Sequence, residues 1–295
     1  MQRVEKELER LIEEIDYEEV TKLFAMLSGG KRLRAKLILK IAGEHSDAPL
    51  LAAIVELIHG ASLLHDDVID EAMTRRGVTS VNATEGSKVA VMLGDILYSK
   101  AFTELVSFDK DVARTIAASV TALSKGEMMD VKMAEAFNSN EEKYLDMLYL
   151  KTATLIEAAA KASALLVDKD AQKHALYGRN LGLSFQIIDD ILDITATAEV
   201  LGKPAMNDFV EGKCTLPYIY LYNLLYSDEK EKLISLHAKE LTSAESEWIQ
   251  TKMKEHKTVE KSFQLAQKLS SEAQEAMSGD AELVMILETM IKRSY

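Results

Sequence analysis

The chain has a single cysteine, Cys214, so no disulfide can form within it, and that usage fits a reducing compartment. Cys214 itself reads as a small buried apolar residue, not a nucleophile. Three prolines and 13 glycines in 295 residues supply few helix breakers, which favours long helices over many short strands and turns. Strand signals are absent. Positive charge is scarce: 35 Lys and Arg stand against 48 Asp and Glu, a net charge of −13, which argues against a nucleic-acid footprint. Any anionic ligand must therefore be held by local cations, not by the global field. No run of 18 or more apolar residues exists, and Met1 to Glu19 is charged throughout. Neither a transmembrane segment nor a signal peptide is expected, and the chain reads as a cytoplasmic protein.

Hydrophobic residues make up 47%, enough for a sizeable core. Their spacing is helical from end to end. Val4, Leu8, Leu11, Ile12 and Ile15 mark a first helix, and a short second one covers about 17 to 27. After Ser28-Gly29-Gly30, the basic Lys31-Arg32-Leu33-Arg34 enters a third through Ile41. Residues 49 to 72 read as one long helix with Pro49 in its first turn. A loop of about ten residues follows Gly77. Further helices are expected over 87–107, 109–137, 142–167 and 170–196, then a loop from 208 to 217, then helices over 217–226, 228–239, 242–255, 258–277 and 280–292. No fixed-period repeat or linker composition divides them. The expected architecture is all-α, a single large helical bundle of ten or more helices, spanning 1–295 as one domain.

Two acidic stretches organise this pattern. His65-Asp66-Asp67-Val68-Ile69-Asp70 is followed by Arg75-Arg76-Gly77, and Asp189-Asp190-Ile191-Leu192-Asp193 lies in a closely similar apolar setting. Asp66 and Asp70 are four apart, as are Asp189 and Asp193, so on a helix each pair lies on one face, one turn apart. A solvated helix face does not explain them, because apolar runs precede both clusters and carboxylates among buried residues need partners. Three carboxylates within five residues repel one another unless a cation joins them. A hard divalent ion such as Mg²⁺ takes one or two carboxylates plus substrate phosphates. Two such clusters with arginines nearby would hold a metal-bridged diphosphate, and the chemistry implied is departure of pyrophosphate. His59 lies two helical turns before Asp66, where a lone histidine would otherwise read as a core residue. Lys151 and Thr152 fall amid Leu148, Leu150 and Leu155, a spacing that on its own suggests an exposed flank.

Taken in order, these motifs resemble those of the trans-prenyl diphosphate synthases, the polyprenyl synthetase family. The matching marks are Gly29-Gly30-Lys31-Arg32-Leu33-Arg34, His59, Asp66-Asp67-x-x-Asp70 with Arg75-Arg76-Gly77, and Gly94-Asp95. Gly126-Glu127, Lys151-Thr152, Phe185-Gln186-x-x-Asp189-Asp190-x-x-Asp193, Gly202-Lys203 and Gly212-Lys213-x-Thr215-Leu216-Pro217 follow. The resemblance implies an isoprenoid-synthase bundle around a central cavity, a homodimer, and three Mg²⁺ per active site. Asp66 and Asp70 would bind two ions and Asp189 a third, with Asp190 and Asp193 reached through water. Asp67, Arg75, Lys151 and Lys203 complete the implied catalytic set. Arg75, Lys151, Lys203 and Lys213 would grip an allylic diphosphate, with Thr152 and Gln186 lining that side. Lys31, Arg34, His59 and Arg76 would hold isopentenyl diphosphate. Two positions depart from the family pattern: Ala35 stands where proline is usual, and Asp130 where many members have glutamine.

Product length would depend on the residues before Asp66. Ala61 and Ser62 are small where bulky aromatics would form a floor, which moves the expected floor to Ile58 and Ile54, facing residues such as Met129, Met133 or Phe137. An isoprene unit is about as long as one helical turn, roughly 5.4 Å. The expectation is a long product of octaprenyl length, primed by farnesyl diphosphate, for the side chain of a respiratory quinone; tyrosine at position 61 should shorten it. Transient membrane contact during product release is compatible with this reading. A short-chain synthase making farnesyl or geranylgeranyl diphosphate, and a non-catalytic regulatory subunit, remain the alternatives at this point. A terpene cyclase would have a different second metal motif.

Overall fold

A computed structural model describes residues 1–27, 30, 32–75, 77–195 and 205–291. Gly29, Lys31, Arg76, Gly202 and Lys203 lie outside the described residues. The chain forms two compact units: Met1–Thr121 with Leu155–Gly178, and Ala122–Thr154 with Arg179–Tyr295.

The first unit opens with α1 (Gln2–Glu13), α2 (Glu18–Met26) and α3 (Leu33–Ala42), followed by the long α4 (Ala48–Ile69). After a two-stranded hairpin, β1 (Thr74–Arg75) with β2 (Val78–Thr79), come α5 (Val81–Glu85) and α6 (Ser87–Leu105). The first part of α7 (Lys110–Ala134), most of α9 (Thr154–Leu166) and the start of α10 (Ala171–Thr195) complete it. Helix α4 is the core element. Pro49 occupies its first turn, where a missing N–H costs nothing, and Glu71 at φ 49° stops it. It packs against α1, α3 and α6, and Leu51, Ile54, Leu57, Ile58 and Leu64 are 0% exposed. Its length and hydropathy would suffice to cross a membrane, which the sequence reading did not anticipate; its apolar window is 67% buried inside the protein. That burial gives it the character of a core helix.

Glu56 sits within this apolar surface at 5% exposure. It is stabilised by two donors, Arg32 Nη1 at 3.1 Å and the backbone N–H of Ala35 at 3.1 Å. Arg32 also bonds both carboxylate oxygens of Glu5, at 3.2 and 3.3 Å. The departure at position 35 thus acquires a physical meaning. Ala35 supplies an N–H that proline lacks, and the buried carboxylate uses it.

The second unit holds the rest of α7 and α10, α8 (Glu141–Leu148), and a π-helical turn at Tyr149–Ala153. Helices α11 (Asn207–Val210), α12 (Leu216–Leu224), α13 (Ser227–Leu236), α14 (Ser243–Glu255), α15 (Thr258–Ala276) and α16 (Ala281–Ile291) follow. One apolar cluster gathers Tyr144, Leu148, Ile187, Ile191, Leu216, Tyr220 and Ala266. A second gathers Phe209, Tyr218, Leu221, Leu233, Ile249 and Met253. A capping box between Thr242 and Glu245 opens α14.

The all-α class agrees with expectation, and three local differences have physical causes. Helix α4 ends at Ile69, three residues early, because Asp70 caps it and the chain turns into the hairpin. That hairpin corrects the reading of no strands and an open loop; two-residue strands are too short to show alternation. The helix expected over 142–167 contains the π turn, which apolar spacing cannot reveal.

Glu56→Leu leaves the Ala35 N–H and one guanidinium nitrogen of Arg32 without their acceptor. It is expected to lower the unfolding free energy by about 1–3 kcal/mol, read by urea denaturation.

Candidate active site

In the first unit, the last turn of α4 sorts its three aspartates. Asp67 is 3% exposed, whereas Asp66 is half-buried and Asp70 exposed. The N–H of Asp70 still bonds the carbonyl of Asp66 at 2.8 Å, so helical geometry persists across the cap and the pair stays one turn apart. Asp67 turns inward. Its Oδ1 accepts from Arg75 Nε and Nη2, both at 2.7 Å, and its carbonyl accepts from the N–H of Ala72 at 2.8 Å. Arg75 stands on β1, so this pair ties the hairpin to the helix end. Gly77, at φ 77°, supplies the left-handed conformation that the tight turn requires.

His65, outside the expected site set, is held by α6. Its Nε2 lies 3.2 Å from the carbonyl of Val91 and 3.5 Å from Asp95 Oδ1, and its ring meets Tyr98 edge-on at 5.5 Å. A side chain at Gly94 would overlap that ring, its Cβ 2.7 Å from Cδ2. The residue before Asp66 is therefore clamped. Arg34 lies in the first turn of α3, half-buried, and His59 is half-buried on α4. Lys31 and Arg76, expected beside them, lie outside the described residues. Of the four expected chain-length residues, Ala61, Ile58 and Ile54 are 0% exposed. Ser62 alone keeps open surface, and its hydroxyl bonds the carbonyl of His59 at 2.9 Å. Tyrosine at 61 would have to displace packed core, so bulk added at 62 is the cleaner test of a floor.

In the second unit, α10 sorts its aspartates differently, leaving only the first of them open. Asp189 is exposed, while Asp190 and Asp193 are 5% and 3% exposed. Tyr144 on α8 donates its hydroxyl to Asp190 Oδ2, and Gln186 Nε2 donates to Oδ1 at 3.0 Å. Gln186 in turn accepts from Thr152 Oγ1 at 3.2 Å, which joins the aspartate motif to the π turn. Asp193 accepts from two backbone N–H groups of the following segment, Met206 on its carbonyl at 2.7 Å and Asp208 on Oδ2 at 3.2 Å. Burial raises the pKa of Asp190 to about 8, aided by the charges of Asp208 and then Asp189; the bonds from Tyr144 and Gln186 act the other way. Burial, and then the charge of Asp190, hold the Tyr144 hydroxyl well above its ordinary range.

Lys151 lies in the π turn. It is not an exposed flank: its side chain is 22% exposed, and its ammonium is 2.6 Å from Asp130 Oδ2 and 2.9 Å from Glu127 Oε2. Both acids lie on α7, beside Gly126. An added Cβ at Gly126 would overlap the backbone nitrogen of Lys151 and lie 2.6 Å from the carbonyl carbon of Leu150. Lys213 pairs with Glu211 at 2.9 Å, and its N–H bonds the carbonyl of Asp208 at 2.7 Å. Lys203 lies outside the described residues.

Among the described residues, no three His, Cys, Asp or Glu side chains converge to hold a metal ion unaided. The donor set still suits a hard cation that keeps water and phosphate oxygens as ligands: each motif offers oxygen donors only, with Asp66, Asp70 and Asp189 on its open side. Sequence reasoning missed Tyr144, Asp208 and His65. Tyr144 sat in an apolar pattern indistinguishable from core, and Asp208 in an expected loop.

The sequence profile of the family described as Polyprenyl synthetase matches residues 18–255. The chain belongs to that family. This polyprenyl synthetase is 38% identical to the short chain isoprenyl diphosphate synthase of Methanothermobacter thermautotrophicus over 221 residues, 71% of this chain and 68% of that one. It is likewise 38% identical to the octaprenyl diphosphate synthase of Escherichia coli K12 over 208 residues, 67% of this chain and 64% of that protein's length. A solved structure, octaprenyl pyrophosphate synthase from Helicobacter pylori, matches 99% of this chain and 98% of its own with a TM-score of 0.94 at 42% identity. This polyprenyl synthetase is a trans-prenyltransferase with the all-α fold of isoprenoid synthases.

Asp190 generates a pH dependence whose sign follows from its raised pKa. The unfolded carboxyl loses its proton near pH ~3.9, and the folded one holds it to about 8. Between these values the folded state binds more protons, so this group's contribution to stability falls as pH rises. In metal-free protein, Asp190→Asn is expected to flatten the decline of Tm between about pH 5 and 8, followed by scanning fluorimetry. An identical slope in both proteins would rule the shift out.

Proposed function

We propose that residues 1–295 act as one polyprenyl synthase domain that adds isopentenyl diphosphate units in trans to an allylic diphosphate. Farnesyl diphosphate is the primer and a long-chain polyprenyl diphosphate, of octaprenyl length, the product. One observation carries this reading. In a chain of net charge −13, the first aspartate motif keeps Asp66 and Asp70 open and the second keeps Asp189 open, and each has a nearby cation held ready by acids, Arg75 on Asp67 and Lys151 on Glu127 and Asp130. Neither arrangement serves a plain helical bundle, which gains nothing from exposed like charges beside preset cations.

Three Mg²⁺ ions, held by Asp66 and Asp70 and by Asp189 with Asp190 and Asp193 through water, would supply positive charge where negative charge develops on the departing pyrophosphate. Arg75, Lys151, Lys203 and Lys213 would donate hydrogen bonds to its oxygens, and Thr152 and Gln186 would align Lys151 and Asp190. Lys31, Arg34, His59 and Arg76 would hold the isopentenyl diphosphate. The allylic C–O bond breaks with its electron pair leaving on pyrophosphate. The double bond of isopentenyl diphosphate then forms the new C–C bond, and pyrophosphate accepts the proton lost. Apolar neighbours of both motifs keep water from the allylic cation.

Product length is read at Ser62, backed by Ala61, Ile58 and Ile54. A short-chain product is the second reading, favoured by the full burial of those last three. The cytoplasmic location and the homodimer belong to the same proposal. Met92 and Phe102 on α6, and Val106 just past its end, are 54%, 37% and 83% exposed, an apolar stripe that suits a second copy.

Purified protein given farnesyl diphosphate, isopentenyl diphosphate and Mg²⁺ is expected to yield a main product near C40, resolved by carbon number after dephosphorylation. Asp66→Ala and Asp189→Ala should each lower kcat at least ~100-fold. Ser62→Phe should shorten the product while sparing the first condensations. A stop at C20 in the unaltered protein favours the second reading, and no condensation at all refutes both.

A further inference from the structure

Lys151 is held more firmly than a substrate-gripping cation needs to be. Its ammonium bonds Asp130 Oδ2 at 2.6 Å and spans both oxygens of Glu127, at 2.9 and 3.1 Å. Glu127 and Asp130 are three apart on α7 and share a face. Their side chains are only 13% and 11% exposed, so water screens this trio weakly. Two acids thus meet one ammonium. The close approach of α7 to the π turn at Gly126 fixes the backbone beneath Lys151 and so limits where its side chain reaches. To that ammonium, the two acids present carboxylate oxygens much as a diphosphate would present its own.

We propose that Asp130 and Glu127 are an internal stand-in for the diphosphate: they hold the Lys151 ammonium before substrate binds and compete with the allylic diphosphate for its charge. This rests on the reading of Lys151 as a diphosphate-binding cation. Both acids are positioning residues, acting through Lys151. They set the affinity for allylic diphosphate and for pyrophosphate below what Lys151 alone would give, which favours exchange of pyrophosphate for the next round of substrate.

Isosteric removal of either charge should therefore tighten binding, the opposite of what loss of a purely structural ion pair would do. In full-length protein with Mg²⁺ at fixed ionic strength, calorimetric titration of inorganic pyrophosphate is expected to give Asp130→Asn about tenfold tighter binding than the unaltered chain. Glu127→Gln should shift in the same direction and serves as the second variant should Asp130→Asn not fold. The KM for farnesyl diphosphate should fall with either change, while the KM for isopentenyl diphosphate stays constant. In a Lys151→Met background, Asp130→Asn should change the affinity less than twofold. Equal or weaker pyrophosphate binding in Asp130→Asn and Glu127→Gln, with Lys151→Met still weakening it, overturns the stand-in and leaves the role of Lys151 intact. Unchanged binding in Lys151→Met overturns both.

Discussion

The close approach of α7 to the π turn at Gly126 is the constraint on which the chemistry of the second unit depends. Because no side chain stands at 126, the backbone of Leu150 and Lys151 lies against the helix, and Glu127 and Asp130 meet the Lys151 ammonium. The next residue, Thr152, bonds Gln186, which bonds Asp190, which accepts from Tyr144. A steric fact about one glycine thus propagates through two side-chain contacts, Thr152 to Gln186 and Gln186 to Asp190, to a buried carboxylate. Each contact satisfies a polar group that would otherwise be costly to bury.

The first unit solves a comparable problem with different parts. Asp67 faces inward to hold Arg75, leaving Asp66 and Asp70 toward the open side, and Glu56 deep on the same helix is matched by Arg32 and the Ala35 N–H. In a chain so rich in acid, cations cannot be left bare without attracting whichever carboxylate is nearest. Here the nearest ones are chosen by the fold: Asp67 for Arg75, Glu127 and Asp130 for Lys151. Burying such charges is tolerable because each is paired and hydrogen-bonded.

Much of this was legible in advance. Apolar spacing gave α4, α6, α7 and α10 to within a few residues, and four-residue aspartate spacing placed each motif on a helix end, because both periodicities follow from 3.6 residues per turn. What stayed hidden depended on contacts distant in sequence. Nothing in the sequence marks Tyr144 as a donor to Asp190, and the spacing of Lys151 suggests a flank although α7 supplies its partners. Ala35 and Asp130 read in the sequence only as departures from the family pattern; Glu56 and Lys151 show what each contributes. The hairpin at Thr74–Thr79 was invisible for another reason: its strands are two residues long, and their pairing is set by Gly77 and the Asp67–Arg75 bridge.

The π turn at Tyr149–Ala153 has a further meaning for how this chain can change. A π turn widens an α-helix locally and amounts to one residue more than a regular turn. Each residue in a helix advances about 100° around the axis. Deleting a single residue between 149 and 153 could heal the turn into plain α-helix without breaking a helix or opening the core. It would, however, move Lys151 and Thr152 off the places they hold within the wider turn, by less than that angle. A one-residue deletion there would thus act as a phase error, harmless to secondary structure and severe for the alignment of functional groups. A substitution at the same place would leave the phase intact. Along this segment, length is under tighter constraint than identity.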